Sequence, residues 1–443
     1  MDHLSELAAF VATATPASDV LGKTALILAD SIGAIVGGAA EPEVAALTER
    51  QCAGVPGIAQ VIGTARTAAP QTAAFLNGTA GTTLEMDEGN QFCKGHPGMH
   101  VIPAVLAAAA GRDLPGAALL SAIAVGYEAA ARVGIATALR PSMHPHGTWG
   151  AIGAVAGVMR LGGAEAGAIR NAMNMAANLG LSTSRRTMLE GGTVRNTFAG
   201  VSNQMGLLAA DLAASGYSGD SDGVGHVFGK VVSDSFEPAA LTDALGSRWE
   251  VMRNYFKMHS CCRYNHATLD ALAAIRTGNP DLRAEDVDRV TVETYNLAVE
   301  LADPAPKNVL AAKFSVPFAV ATVLVHGSSG VESFASGTVS EPATRALAAR
   351  VEVREDPSMS AQLPDKRPAR VTVTLKDGRR LTAATQTNRG DWADPYPPED
   401  IHAKYLSLTQ RLWSRGLAED VWARCHALAQ TGDAGPFLKA MAT

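Results

Sequence analysis

Four stretches of the chain gather side chains able to move protons or bind anions. The rest is rich in alanine, glycine and aliphatic residues. The first stretch runs Glu85-Met86-Asp87-Glu88-Gly89-Asn90 and then Cys93-Lys94-Gly95-His96-Pro97-Gly98-Met99-His100. Carboxylates at a helix end, followed by a histidine after a glycine-containing loop, can bring a base and an acid within reach of each other. The second, Met143-His144-Pro145-His146-Gly147-Thr148-Trp149-Gly150, sets two histidines around a proline just before an apolar helix. An imidazole there can face a pocket mouth, and Thr148 can equally be an N-cap. The third, Ser184 through Asn196, carries Arg185, Arg186 and Arg195 around Gly191-Gly192. Guanidinium groups bind carboxylates in a bidentate fork, although surface ion pairing is the commoner fate of a single arginine.

The fourth stretch is the densest: Lys257-Met258-His259-Ser260-Cys261-Cys262-Arg263-Tyr264-Asn265-His266. Zinc through Cys261, Cys262 and His266 is disfavoured, because adjacent cysteines do not easily share one tetrahedral site and the usual cysteine spacing is absent. No metal is expected. A Cys–His nucleophile pair has no accompanying oxyanion-hole signature. There is also no P-loop, no dinucleotide-binding glycine motif, no H-E-x-x-H and no G-x-S-x-G. Phosphoryl transfer, nicotinamide chemistry and zincin or serine-hydrolase activity therefore lack support.

These side chains need elements to hold them. The 443 residues suggest two domains, and a charged share of 18% beside a hydrophobic share of 47% excludes a disordered chain. The net charge of −6 carries no basic stripe, which argues against nucleic acid. Mean hydropathy is +0.07, and the apolar stretch from Leu114 to Tyr127, flanked by Asp113 and Glu128, reads as too short to span a bilayer, so no membrane partner is expected. No export signal is legible at the N-terminus, and five cysteines are odd in number and sparse. Both features suggest a cytoplasmic protein with reduced thiols.

Segments 23–37, 71–88, 117–139, 148–161 and 164–179 read as helices, punctuated by glycine and proline, with a short strand at 59–63. The pattern changes near Gly278-Asn279-Pro280. Residues 287–294 alternate apolar and polar, and 369–375 and 379–384 flank an Asp377-Gly378 turn as a hairpin, with a buried helix at 314–325 between them. The expected fold class is mainly α: a large all-helical domain (1–278), a smaller inserted α+β domain (279–398), and C-terminal helices (399–443) returning to the first.

In this order, these clusters resemble the MmgE/PrpD family, which includes 2-methylcitrate dehydratase, cis-aconitate decarboxylase and iminodisuccinate epimerase. The matching stretches are Glu85–Glu88 with Gly95-His96-Pro97 and Val101-Ile102-Pro103-Ala104; Gly126-Tyr127-Glu128; His144-Pro145 with Gly147-Thr148-Trp149-Gly150; Lys257 through His266; Ala312-Lys313-Phe314-Ser315-Val316-Pro317; and Asp394-Pro395 with Lys404-Tyr405. The resemblance implies a helical domain with an α+β lid, a pocket between them, a homodimer, and cofactor-independent chemistry on small polycarboxylates. It places the catalytic set on Asp87, His96, His144, Lys257 and His266. Substrate-binding candidates are Glu85, Arg186, Arg195, Cys262, Arg263 and Tyr264, with Arg263 the firmest because it lies inside the densest motif. Three departures concern the substrate more than the fold. Gly89 stands where relatives often carry threonine, Arg186-Thr187-Met188-Leu189-Glu190 lacks the usual lysine, and Cys262 aligns with a histidine of the decarboxylase.

The implied chemistry is removal of a proton from carbon beside a carboxylate, which needs a positioned base and cations for the developing charge. Asp87 and His96 would handle the proton, with Lys257 and His144 as acid or charge stabiliser. The leading expectation is a lyase of a di- or tricarboxylate resembling 2-methylcitrate dehydratase. The alternatives are an epimerase or isomerase, a decarboxylase, or a non-catalytic binding protein that kept the fold.

Overall fold

The computed structural model describes residues 2–442, which form mostly helices and divide into two compact units. The first unit takes in the chain through Arg185, then Asn196–Tyr255, and resumes at Pro397; the second is Arg186–Arg195 with Phe256–Tyr396. The boundary expected at 279 therefore lies at Tyr255/Phe256, and a short excursion at 186–195 joins the second unit. The physical reason is the helix His266–Gly278. Its apolar face (Leu269, Leu272, Ile275) packs into the core of the second unit, so the composition shift after it marks the start of the sheet rather than of the unit.

In the first unit the helices that matter are α1 (Ser18–Ala39), α2 (Pro70–Thr83), α3 (Pro97–Ala109), α4 (Gly116–Ala136), α5 (Gly150–Leu161) and α6 (Phe198–Ala214). Small residues let these helices approach closely. A Cβ on Gly126 of α4 would stand 2.9 Å from the Gly153 carbonyl of α5, so only glycine permits that crossing. Pro103 inside α3 cannot donate to the Met99 carbonyl four residues back. Asn203 of α6 repairs the ladder: its Nδ2 donates to Met99 O at 2.9 Å, and its Oδ1 accepts from Ala104 N at 2.9 Å. Two antiparallel dipeptides, β1 (Gly89–Asn90) and β2 (Asn254–Tyr255), tie the loop after α2 to a distant part of the same unit.

Two expectations about helix ends are corrected. The helix expected over 71–88 stops at Thr83, because Glu85 adopts the left-handed conformation (φ 56°), which cannot continue a right-handed helix. The apolar stretch expected to end at Tyr127 continues through α4. Glu128 and Arg132 pair inside it. Among the described residues α4 and α1 are both long and apolar enough to cross a membrane, and both are largely buried within the fold.

The second unit is built on α7 (His266–Gly278), α8 (Val316–His326) and a four-stranded sheet. Its strands are β3 (Val287–Thr294), β4 (Val351–Glu355), β5 (Ala369–Leu375) and β6 (Arg380–Thr385), in the order β6-β5-β3-β4. The β3–β4 pair is parallel and the other two pairs are antiparallel. Val290, Val292, Val371 and Val373 point into a core with Leu272 of α7 and Val320 of α8. The β5–β6 hairpin turns at Gly378, whose φ of 91° is the conformation an Asp-Gly turn requires. After Pro397 the chain re-enters the first unit as α9 (Pro398–Thr409) and α10 (Arg415–Ala427).

Candidate active site

In the first unit, α2 ends in a loop that carries Glu85, Asp87 and Glu88, all buried, and leads to His96 immediately before Pro97 opens α3. His96 is 7% exposed. Its Nδ1 lies 2.6 Å from the Glu88 carbonyl oxygen and 3.0 Å from the Asp87 carboxylate. The Glu88 carbonyl accepts, so Nδ1 carries the hydrogen and Nε2 keeps the lone pair that can take a proton, while the Asp87 carboxylate lies beside Nδ1 as a close charge without a hydrogen bond between them.

His144 has the opposite arrangement. The His146 backbone N–H donates to its Nδ1 at 3.0 Å, so the neutral ring carries its hydrogen on Nε2, as a donor. Thr183 fixes this loop, its hydroxyl lying 2.8 and 2.9 Å from the carbonyls of His144 and His146. The His146 ring meets three other imidazoles edge-on: His96 (4.7 Å between centroids), His144 (4.7 Å) and His100 (5.0 Å). His100 donates from Nδ1 to the His96 carbonyl at 2.9 Å and accepts at Nε2 from Gly147 N at 3.4 Å. A Cβ on Gly150 would fall 2.1 Å from the His100 ring, so glycine at the start of α5 makes room for it.

Asp87, His96 and His144, all expected catalytic residues, come together in this one cluster. His100, His146 and Glu88 join them and are not among the expected site residues. The spacing of His96 and His100, one helical turn apart, is a sequence signal for the first of these.

Glu88 caps α3, accepting from Gly98 N at 2.8 Å through Oε1 and from the Tyr127 hydroxyl at 3.0 Å through Oε2. Burial pushes its carboxyl up to about 8, against the opposing pull of these two hydrogen bonds, and the charges of Asp30 and Asp87 push the same way. Burial lowers the nearby Lys23 ammonium to about 8, and Glu88 and Asp30 partly offset it. In the unfolded chain Glu88 would release its proton near 4.5, while the folded protein holds it to about 8. Folding thus takes up a proton in this window, and stability is expected to fall as pH rises through it. Urea midpoints of wild type and Glu88→Gln from pH 5 to 8 check this: the wild-type slope should be negative, and the variant's flatter.

In the second unit Lys257 is completely buried, and Arg195 is buried with its guanidinium 5.3 Å above the Phe314 ring. Arg263 makes several bonds within its own unit. It binds the Asp391 carboxylate, the carbonyls of Phe256 (3.4 Å) and Arg389 (3.3 Å), and Nδ1 of His266 (3.0 Å). The fork expected to anchor substrate therefore organises the loop at Asp391, a partner 128 residues away. His266 accepts from Arg263 and donates from Nε2 to the Cys261 carbonyl at 3.3 Å. Burial, and then the positive charge of Arg263, hold its pKa well below the ordinary histidine range. A neutral ring with both nitrogens engaged suits holding Arg263 better than moving a proton. Cys262 is half-buried, its backbone N–H bonded to the Lys313 carbonyl, and Tyr264 packs edge-on against Tyr295. Arg186 stands on the surface, ion-paired to Glu190 one turn on.

The chain matches two family models along most of its length: the MmgE/PrpD N-terminal domain over residues 3–238 and the MmgE/PrpD C-terminal domain over 259–426. Among curated relatives, a cis-aconitate decarboxylase of Aspergillus terreus is 22% identical, covering 95% of this chain and 91% of its own. The Mus musculus protein of that name is 25% identical over 80% of this chain and 74% of its own, and the Homo sapiens one 26% over 80% and 75%. The two matched models cover the histidine cluster and the stretch from His259 to His266, and the chain belongs to the MmgE/PrpD family.

Proposed function

We propose that the chain is a cofactor-independent lyase of a small di- or tricarboxylate that transfers a proton at a carbon beside a carboxylate. The observation that carries this reading is the pairing of tautomers in one buried cluster. His96, held at Nδ1 by the Glu88 carbonyl with the Asp87 carboxylate beside it, presents a basic Nε2, while His144 presents an Nε2–H. One imidazole ready to accept and one ready to donate are what elimination or decarboxylation requires. In water loss, His96 takes the proton from carbon, the C–O bond breaks, and an acid protonates the departing hydroxyl. In decarboxylation, the C–C bond electrons stay on the substrate as carbon dioxide leaves, and an acid such as His144 protonates the carbon.

The names of the relatives favour carbon dioxide loss over the dehydration suggested by the motifs. Epimerisation is a second reading, favoured by two departures: Gly89 where relatives often carry threonine, and no lysine in Arg186–Glu190. The test is proton NMR of the protein in D₂O with a panel of acids that includes cis-aconitate and 2-methylcitrate. A product that carries deuterium and has lost carbon dioxide or water is the expected result. Deuterium at a stereocentre with neither loss would transfer the assignment to an epimerase. No exchange and no product with any acid would overturn the enzyme reading.

A further inference from the structure

The loop that carries Asp87 begins with a residue the local sequence does not explain. Glu85 is buried in the left-handed region at φ 56°, a conformation that favours glycine or asparagine. Such a conformation persists only where the surroundings impose it. The residue after Glu85 is held from the far end of the chain. Lys404 on α9 donates from Nζ to the Met86 carbonyl at 2.6 Å and to Oδ1 of Asp30 on α1 at 2.6 Å. The Lys404 side chain is 2% exposed and that of Asp30 fully buried, so water does not compete strongly for either. Asp30 also acts through its charge on Lys23 and Glu88. His96 faces the Asp87 carboxylate and the rings of His146 and Tyr255.

We propose that Lys404, braced by Asp30, is a positioning residue: by holding the Met86 carbonyl it sets the loop so that the Asp87 carboxylate meets Nδ1 of His96. The inference rests on the reading of Asp87 and His96 as the proton-handling pair. Lys404 acts through the backbone of a neighbour of Asp87, so its removal leaves every side chain of the histidine cluster in place chemically and alters only their alignment.

The experiment compares Lys404→Met with Asp87→Asn by two readouts: steady-state turnover, and the titration midpoint of the His96 imidazole followed by NMR. The His96 signal is assigned by its loss in His96→Gln. Asp87→Asn removes the carboxylate that lies 3.0 Å from Nδ1 of His96 and should move the midpoint. Lys404→Met should move it in the same direction and lower kcat by about 10- to 100-fold, with KM changing less than about threefold, as misalignment of a catalytic group does. Removing one member of a buried pair also strains the fold. If Lys404→Met does not fold, the Asp30→Asn/Lys404→Met double variant, which removes both charges, carries the same measurements. A folded variant with unchanged midpoint and kcat, while Asp87→Asn moves both, overturns the proposal and leaves the pair standing. If Asp87→Asn moves neither, the pair assignment falls and takes the role of Lys404 with it.

Discussion

Replacing His96 by glutamine is expected to lower kcat by about 10²–10⁴, the range lost when a positioned general base is removed. Glutamine keeps a side-chain donor for the Glu88 carbonyl but has no lone pair basic enough to accept a proton from carbon. His96 owes its orientation to the Glu88 carbonyl, which accepts from Nδ1 at 2.6 Å, with the Asp87 carboxylate 3.0 Å from the same nitrogen. The substitution should therefore leave KM nearly unchanged and the melting temperature close to wild type. Steady-state kinetics on the acid that gives product in D₂O, with circular dichroism as the folding control, make the check. A variant retaining most of its turnover would remove His96 from the chemistry.

The largest stability effect is expected at Arg132, in the middle of α4 and fully buried. Its guanidinium holds Glu128 at 2.7 Å and donates to the carbonyls of Leu241 (3.3 Å), Asp243 (2.9 Å) and Arg248 (3.0 Å). It thereby fastens the segment before β2 to the helix that packs under the site. Glu128 also accepts from the Glu250 backbone N–H at 2.6 Å. Burial still pushes its carboxyl up to about 7, against the pull of Arg132. Arg132→Met would leave this acid buried beside three carbonyls deprived of their donor. The loss should be about 3–5 kcal/mol, the usual result of removing one partner of a buried pair. Melting should fall by roughly 10 °C for a unit of this size. Adding Glu128→Gln should recover part of the loss, because the uncompensated carboxyl is gone. Denaturant unfolding of the single and double variants decides it, and equal stability of Arg132→Met and wild type would refute the assignment.

Some of the candidate site was legible because its chemistry is local in sequence. Asp87 and His96 stand nine positions apart, His144 and His146 flank Pro145, and Lys257 through His266 is a continuous run. Such density of polar side chains in an alanine- and glycine-rich text stands out without any coordinates. The strand at 287–294 and the Asp377-Gly378 hairpin were legible for a similar reason, since period-two alternation and turn residues are local codes. The end of α2 was not. Leu84, Glu85 and Met86 continue an acceptable helical pattern, and the Met86 carbonyl just past the bend is bonded by an ammonium group 318 positions away. Arg263 misled in the opposite direction. Its motif suggested an anion anchor, but its partner Asp391 lies in a loop that no periodicity links to it.

By itself, then, the sequence determined which residue types are available for the chemistry, the mainly helical class, and the family. Each depends on composition, short-range periodicity or ordered motifs, which exist before the chain folds. Only the tertiary structure decided which nitrogen of each histidine bears the proton, which guanidinium is already committed, and what holds Asp87 against His96. Those properties belong to hydrogen bonds between residues tens to hundreds of positions apart, and a hydrogen bond exists only once packing has brought both partners together and excluded the water that would replace either one.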